Sequence, residues 1–103
     1  PVYQAGTLSG NPLSVAAGLK TLEILVRDDP FPVLSQRTRR LVEGLSERAS
    51  ARGIAWRGDC VGAMWGGFFN ANAVVDYASA KTSDTAAFGR FFQAMLSRGV
   101  YLA

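Results

Sequence analysis

The sequence predicts an α+β fold in which helices pack on one face of a small antiparallel sheet. Three observations carry this. Two long segments repeat apolar residues at helical spacing, and a third, rich in Phe, follows later in the chain. Between them, residues 54–60 and 61–69 have the length and apolar content of strands. At 103 residues, 49% hydrophobic and 18% charged, the chain is globular and large enough for one small core. The order that results is helix, helix, strand, strand, helix, strand, with no internal repeat. Trp56, Trp65, Phe68, Phe69, Tyr77, Phe88, Phe91 and Phe92 crowd one stretch, where the core is expected.

Residues 1–10 read as a loop containing Gly, Ser and Thr. Asn11 can cap the free amides of a helix, and Pro12 suits its first position. That helix runs to about residue 26, with a stripe of Val15, Leu19, Leu22 and Val26 at spacings of 4, 3 and 4. Leu13, Ala17 and Ile24 add apolar surface elsewhere, so burial on more than one side is expected. Glu23 and Arg27 are ordered correctly for a helical ion pair. Asp28-Asp29-Pro30-Phe31-Pro32 then breaks the pattern, because two prolines in three residues stop a helix. Its acid pair reads as a turn ending the helix, since no third polar partner for acid–base work is near in sequence.

A second helix is predicted over 33–52, with Leu34, Thr38, Leu41, Val42, Leu45 and Ala49 on one side. Gly53 is placed to end it in a left-handed turn. Residues 54–60 alternate as a half-exposed strand, and the apolar run 61–69 reads as a central strand whose glycines mark a bulge, a close approach or a turn. Residues 70–83 form a polar loop that Val74, Val75 and Tyr77 dock onto the core. Ser83 or Asp84 caps a third helix with Phe88, Phe91, Phe92, Met95 and Leu96 on its apolar face. Gly99 ends that helix, and residues 100–102 begin a strand.

The net charge is +3, supplied largely by Arg37, Arg39, Arg40, Arg48 and Arg52 on the second helix. Glu43 and Glu47 share that helix and no aromatics interleave, so the pattern is a solvated face and not a nucleic-acid patch. The lone Cys60 and the lack of histidine exclude an internal disulfide, a zinc site and a Ser-His or Cys-His pair. A reducing, cytoplasmic setting is expected, and no apolar run approaches the ~18 residues of a membrane helix. A first residue other than Met and a last strand just beginning lead to the expectation of a piece of a larger α/β enzyme, inactive alone.

Candidate chemistry is sparse. Ser9 and Ser14 have no evident base. Lys20 and Lys81, the only lysines, lack a context that would lower their pKa, and surface roles are expected. The segment Gly6-Thr7-Leu8-Ser9-Gly10-Asn11-Pro12 stands apart. Glycines permit close backbone approach, Thr7 and Ser9 offer hydroxyls, and a helix start offers free amides and a positive dipole end, which together suit a phosphate. The same residues also make a glycine-rich capping turn that binds nothing.

The wording of this segment adds to the physics. Tyr3-Gln4-Ala5-Gly6-Thr7-Leu8-Ser9-Gly10-Asn11-Pro12, followed by Ala16-Ala17-Gly18, resembles the signature of the glutamate-1-semialdehyde aminomutases, class III aminotransferases of pyridoxal-phosphate fold type I. Gly62-Ala63-Met64-Trp65-Gly66-Gly67-Phe68-Phe69 resembles the family's Gly-x-Met-Phe-x-x-Phe-Phe strand, with Trp65 where Phe is commoner. Phe91-Phe92-Gln93-Ala94-Met95-Leu96 and Gly99-Val100-Tyr101-Leu102-Ala103 resemble its late helix and following strand.

The resemblance implies a homodimeric parent enzyme that makes 5-aminolevulinate, the tetrapyrrole precursor, from a small amino-aldehyde. It implies that Gly6 and Thr7 reach the phosphate of pyridoxal 5′-phosphate held by the other subunit. It places residues 1–27 at the end of the large cofactor domain and 28–103 in a C-terminal small domain truncated before its natural end. The cofactor-binding lysine, the aspartate paired with the pyridine nitrogen and the aromatic residue stacked on the ring precede this segment in the family. No catalytic or metal-ligating residue is therefore expected here, and the chain alone is not expected to hold the cofactor. Another class III aminotransferase is the nearest alternative, with Leu8-Ser9 between Thr7 and Gly10 favouring the aminomutases; a non-catalytic interaction module is the other. The remainder of the enzyme chain and a second subunit are the implied partners, with no nucleic acid or membrane. Separated from them, the chain is expected to self-associate or to rearrange its first helix.

Overall fold

A computed structural model of the chain describes residues 2, 3 and 5–102. The chain forms two compact units, Pro1–Pro32 and Val33–Ala103.

The first unit is a loop leading into helix α1, Pro12–Asp28. It starts as the sequence dictates: Asn11 is the cap, its Oδ1 accepting from the Ser14 amide at 3.1 Å, and Pro12 occupies the first turn. It ends at Asp29, left-handed at φ 37° and ψ 64°, whose amide donates to the Leu25 carbonyl at 3.0 Å. The acid pair is thus a helix terminus, as expected. Two expectations fail. Glu23 bonds Lys20 Nζ at 3.0 Å, not Arg27, which pairs instead with its neighbour Asp28 at 2.6 Å. No residue of α1 is buried. An apolar stripe specifies which side chains gain from burial, but this unit consists of one helix and its leading loop and offers no surface to cover it.

Helix α2 spans Phe31–Ser50, two residues earlier at each end than the sequence suggested. Pro32 does not block it, because the amide it lacks would be unbonded in the first turn anyway. The break shrinks to Asp29-Pro30, and Arg52 falls in the turn beyond the helix. Gly53 closes that turn at φ +65°: its amide reaches the Ser50 carbonyl at 3.0 Å and the Ile54 amide reaches Ala49 at 2.9 Å. This paired bond pattern uses up Ile54, so the first strand cannot begin where the alternation did.

The sheet has two antiparallel strands, β1 (Arg57–Val61) and β2 (Met64–Phe68), in register from Arg57↔Phe68 to Val61↔Met64. The run 61–69 is therefore not one central strand. Gly62 takes φ +59° and, with Ala63, makes a two-residue hairpin turn of the type that needs a positive φ at its first position. Gly66-Gly67 lies inside β2, neither bulge nor turn. Residues 100–102 form no strand, since none among the described residues pairs with them.

One face of the hairpin carries Gly58 opposite Gly67, and the Trp56 indole folds back over the pair. A methyl built on Gly67 would lie 2.0 Å from Trp56 Cη2, and one on Gly58 2.8 Å from its Nε1 and 3.2 Å from Val42 Cγ1. The glycines are there because the indole occupies the space of two side chains. Trp56 then meets Phe69 edge-on at 5.2 Å between ring centroids and Phe91 at 6.1 Å. Through Val42 of α2 and Phe91 of the final helix, the helices thus cover the same face of the sheet, as the fold class requires. The core is thin: Val42 is the one buried apolar side chain among the described residues.

Residues 70–83 are more ordered than a loop. Asn70 is buried, its Nδ2 donating to Thr82 Oγ1 at 2.9 Å, Ser83 Oγ at 3.3 Å and the Ser79 carbonyl at 3.4 Å. A short helix, α3 (Tyr77–Ala80), is closed by a reciprocal cap between Asp76 and Ser79. Hydrogen bonding holds this segment where apolar docking was expected: Val75 and Tyr77 are exposed, and only Val74 is half-buried. Helix α4 (Thr85–Leu96) is capped by Asp84, which accepts from the Ala87 amide at 2.9 Å. Gly99, at φ +80°, closes it with the same bond pattern as Gly53: Gly99 to Leu96 at 2.9 Å and Val100 to Met95 at 3.0 Å.

Candidate functional site

The loop that opens α1 lies wholly within the first unit. Residues 7–10 form a turn in which the Ser9 amide donates to the Gly6 carbonyl and the Asn11 amide to the Leu8 carbonyl, both at 3.1 Å. These two bonds make successive turns that lead into the helix start. The amides of Thr7, Leu8 and Gly10 enter no hydrogen bond among the described residues, and the Thr7 side chain is exposed. At Gly6 a Cβ would fall 2.2 Å from Ser9 Oγ, so a larger residue there would turn the Ser9 hydroxyl away from its present position. Behind the loop stands a helix of 17 residues, whose N-terminus carries a partial positive charge. Chemically the loop offers open amides, a hydroxyl and a helix dipole end, the kinds of donor that anion binding uses. Gln4 lies outside the described residues.

The other candidates do not converge on a site. Lys20 is exposed on α1 and paired with Glu23. Lys81 follows α3, its Nζ 5.7 Å from the centre of the Tyr77 ring. Neither is desolvated in the way a nucleophilic lysine requires. Ser14 Oγ donates to Asn11 Oδ1 at 3.5 Å, within the cap. Cys60 is half-buried on β1, its amide bonded to Asp59 Oδ1 at 2.7 Å. No group of three or more possible metal ligands exists among the described residues. No helix of the described residues is long and apolar enough to cross a membrane.

Two carboxylates are shifted, both for structural reasons. The Arg27 guanidinium holds Asp28 below the ordinary carboxylate range, and hydrogen bonds from the Ser79 hydroxyl and amide lower Asp76. Sequence reasoning missed Asn70, the one buried polar residue among the described ones, because nothing in a single asparagine announces three oxygens around its amide.

No protein-family model matches the chain. Among curated proteins it is 54% identical over 103 residues to the glutamate-1-semialdehyde 2,1-aminomutase of Heliobacterium modesticaldum. Along its whole length the chain is similar to glutamate-1-semialdehyde 2,1-aminomutases. Identity is 51% over 102 residues to the enzyme of Bordetella avium and 50% over 103 residues to that of Desulfitobacterium hafniense. The chain spans about 24% of the length of each of these aminomutases. They therefore carry roughly three quarters of their sequence outside the matched stretch.

Proposed function

We propose that this chain is the C-terminal part of a glutamate-1-semialdehyde 2,1-aminomutase, the enzyme that converts glutamate-1-semialdehyde to 5-aminolevulinate for tetrapyrrole synthesis. The observation that carries the reading is similarity over the entire chain at 50–54% identity to proteins of that name. In this reading residues 1–27 end the large domain and 28–103 belong to the small one. The parent is a cytoplasmic homodimer, and this stretch supplies no catalytic residue.

The loop has the chemistry to meet the phosphate of pyridoxal 5′-phosphate. Its open amides at Thr7, Leu8 and Gly10 and the exposed Thr7 hydroxyl are donors, and a phosphate dianion accepts from each kind. Gly6 contributes by having no side chain, which leaves the Ser9 hydroxyl in place and the backbone open to close approach. Pyridoxal phosphate, when bound, supplies the electron sink that lets an amino group move between adjacent carbons. Gly6 and Thr7 would anchor and orient it, while proton transfer falls to residues outside this stretch.

The test is a chimera. In the Heliobacterium modesticaldum enzyme, the matched stretch is replaced by these 103 residues. The chimera is expected to form 5-aminolevulinate, and Thr7→Val within it to raise the cofactor concentration needed for half-activity about tenfold, one charge-assisted hydrogen bond's worth. A folded, cofactor-loaded chimera that transfers amino groups from another amine but leaves glutamate-1-semialdehyde untouched would sink the proposal in favour of another class III aminotransferase.

A further inference from the structure

Gly6 and Gly10 bracket the loop before α1, and neither has the positive φ that favours glycine. A methyl built on Gly10 meets nothing within 4 Å. One built on Gly6 meets a single side chain, Ser9, with Oγ at 2.2 Å and Cβ at 3.5 Å. One atom, the Ser9 hydroxyl oxygen, therefore accounts for glycine at position 6. We propose that this hydroxyl is a further phosphate contact: it donates to the phosphate of pyridoxal 5′-phosphate beside Thr7, and Gly6 leaves it room. The inference rests on the aminomutase reading, which supplies the cofactor. The resemblance gives Gly6 and Thr7 to the phosphate and leaves Ser9 without a role.

The hydroxyl is free for this task. Serine side chains in turns ordinarily bond a nearby backbone group. Here the cap at Asn11 Oδ1 takes the Ser14 amide and hydroxyl, and Ser9 enters the turn through its amide alone, to the Gly6 carbonyl at 3.1 Å. Among the described residues the Ser9 hydroxyl has no hydrogen bond, and Ser9 is exposed.

Its position suits the same ligand as Thr7. The hydroxyl stands on the Cβ side of Gly6, and the next peptide carries the open Thr7 amide. A phosphate has three acceptor oxygens, so it can take the Ser9 hydroxyl on one while Thr7 holds another. Glycine carries an entropic cost in the unfolded chain, and a serine that merely faces water gives no reason to bear it three residues earlier.

The experiment uses the chimera with the Heliobacterium modesticaldum enzyme, freed of cofactor and titrated with pyridoxal 5′-phosphate or with pyridoxal, which lacks the phosphate; absorbance reads the binding. Ser9→Ala should bind pyridoxal 5′-phosphate about tenfold more weakly and pyridoxal as before, whereas Ser9→Thr should keep most of the affinity. Gly6→Ala should lose at least as much as Ser9→Ala, because its methyl turns the hydroxyl away. Adding Ser9→Ala to Gly6→Ala should then cost nothing further, since the hydroxyl is already displaced. Unchanged affinity for pyridoxal 5′-phosphate in Ser9→Ala, an equal loss for pyridoxal, or a full further loss in the double variant would each overturn the proposal while leaving the aminomutase reading intact. An unsubstituted chimera that binds no pyridoxal 5′-phosphate would refute that reading, and this inference with it.

Discussion

Adjacent glycines in β2 should respond oppositely to the same substitution. Gly66 and Gly67 both have backbone angles open to any residue, since neither is among the glycines with positive φ. A methyl at Gly66 meets nothing within 4 Å. Gly66→Ala therefore only restricts the unfolded chain and should stabilise by about 0.4–1 kcal/mol. A methyl at Gly67 falls 2.0 and 2.1 Å from Cη2 and Cζ2 of Trp56. Ordinary carbon contacts are ~3.5–4.0 Å, so the indole must retreat by roughly 1.5 Å. The Phe69 and Phe91 rings pack against it with centroids 5.2 and 6.1 Å away, which limits its movement. Overpacking of this kind costs about 1–3 kcal/mol, more than the chain-entropy gain returns. Both substitutions share the chain-entropy gain, so Gly67→Ala should lie below Gly66→Ala by the overpacking cost, about 1–3 kcal/mol. Urea unfolding followed by tryptophan fluorescence and far-UV circular dichroism measures both. Gly67→Ala as stable as Gly66→Ala would refute the placement of the indole.

Three further outcomes follow from the same structure. Asn70→Ala should cost about 1–3 kcal/mol in urea unfolding, because it leaves the Ser79 carbonyl and the Thr82 and Ser83 hydroxyls without their shared donor; a cost near zero would mean the amide is not what holds residues 70–83. Asp76, whose carboxylate is favoured by the Ser79 hydroxyl and amide, should lend stability above the unfolded carboxylate pKa of about 3.9 and lose it as pH falls through its lower folded value. Stability–pH curves of the parent chain and Asp76→Asn should therefore converge at low pH, and parallel curves would contradict the assignment. The stripe on α1 is open, with Leu19 and Leu22 59% and 60% exposed, so sedimentation should show concentration-dependent association that Leu19→Glu with Leu22→Glu removes; a monomer at every concentration would count against it.

Local chemistry was legible in the sequence wherever one residue decides the backbone. Asn11-Pro12, Asp84, Gly53 and Gly99 sit at helix ends as their side chains, or the lack of one, dictate. The hairpin was hidden because its turn, Gly62-Ala63, is apolar and merges with strand residues into one run. Pattern alone favoured Gly66-Gly67 as the irregular point, whereas packing of Trp56 explains Gly67. Burial was the least legible property: α1 carries a strong stripe, and no partner for it lies in its own unit. The candidate site was readable for a different reason. Gly6 to Pro12 combines a cap, a turn and a hydroxyl in consecutive positions, so sequence order already brings the groups together. Asn70, by contrast, needed the chain to return to it from residues 79–83.

The claim that this stretch contributes a phosphate cradle and no catalytic lysine is tested most directly by titrating the purified chain with pyridoxal 5′-phosphate under amide NMR, with borohydride treatment and mass analysis at the end point. The account predicts weak shifts confined to the amides around Gly6 and Thr7 and no covalent label on either lysine. A saturable, borohydride-fixed label on Lys20 or Lys81 would show that the chain holds a cofactor site of its own, and would contradict it.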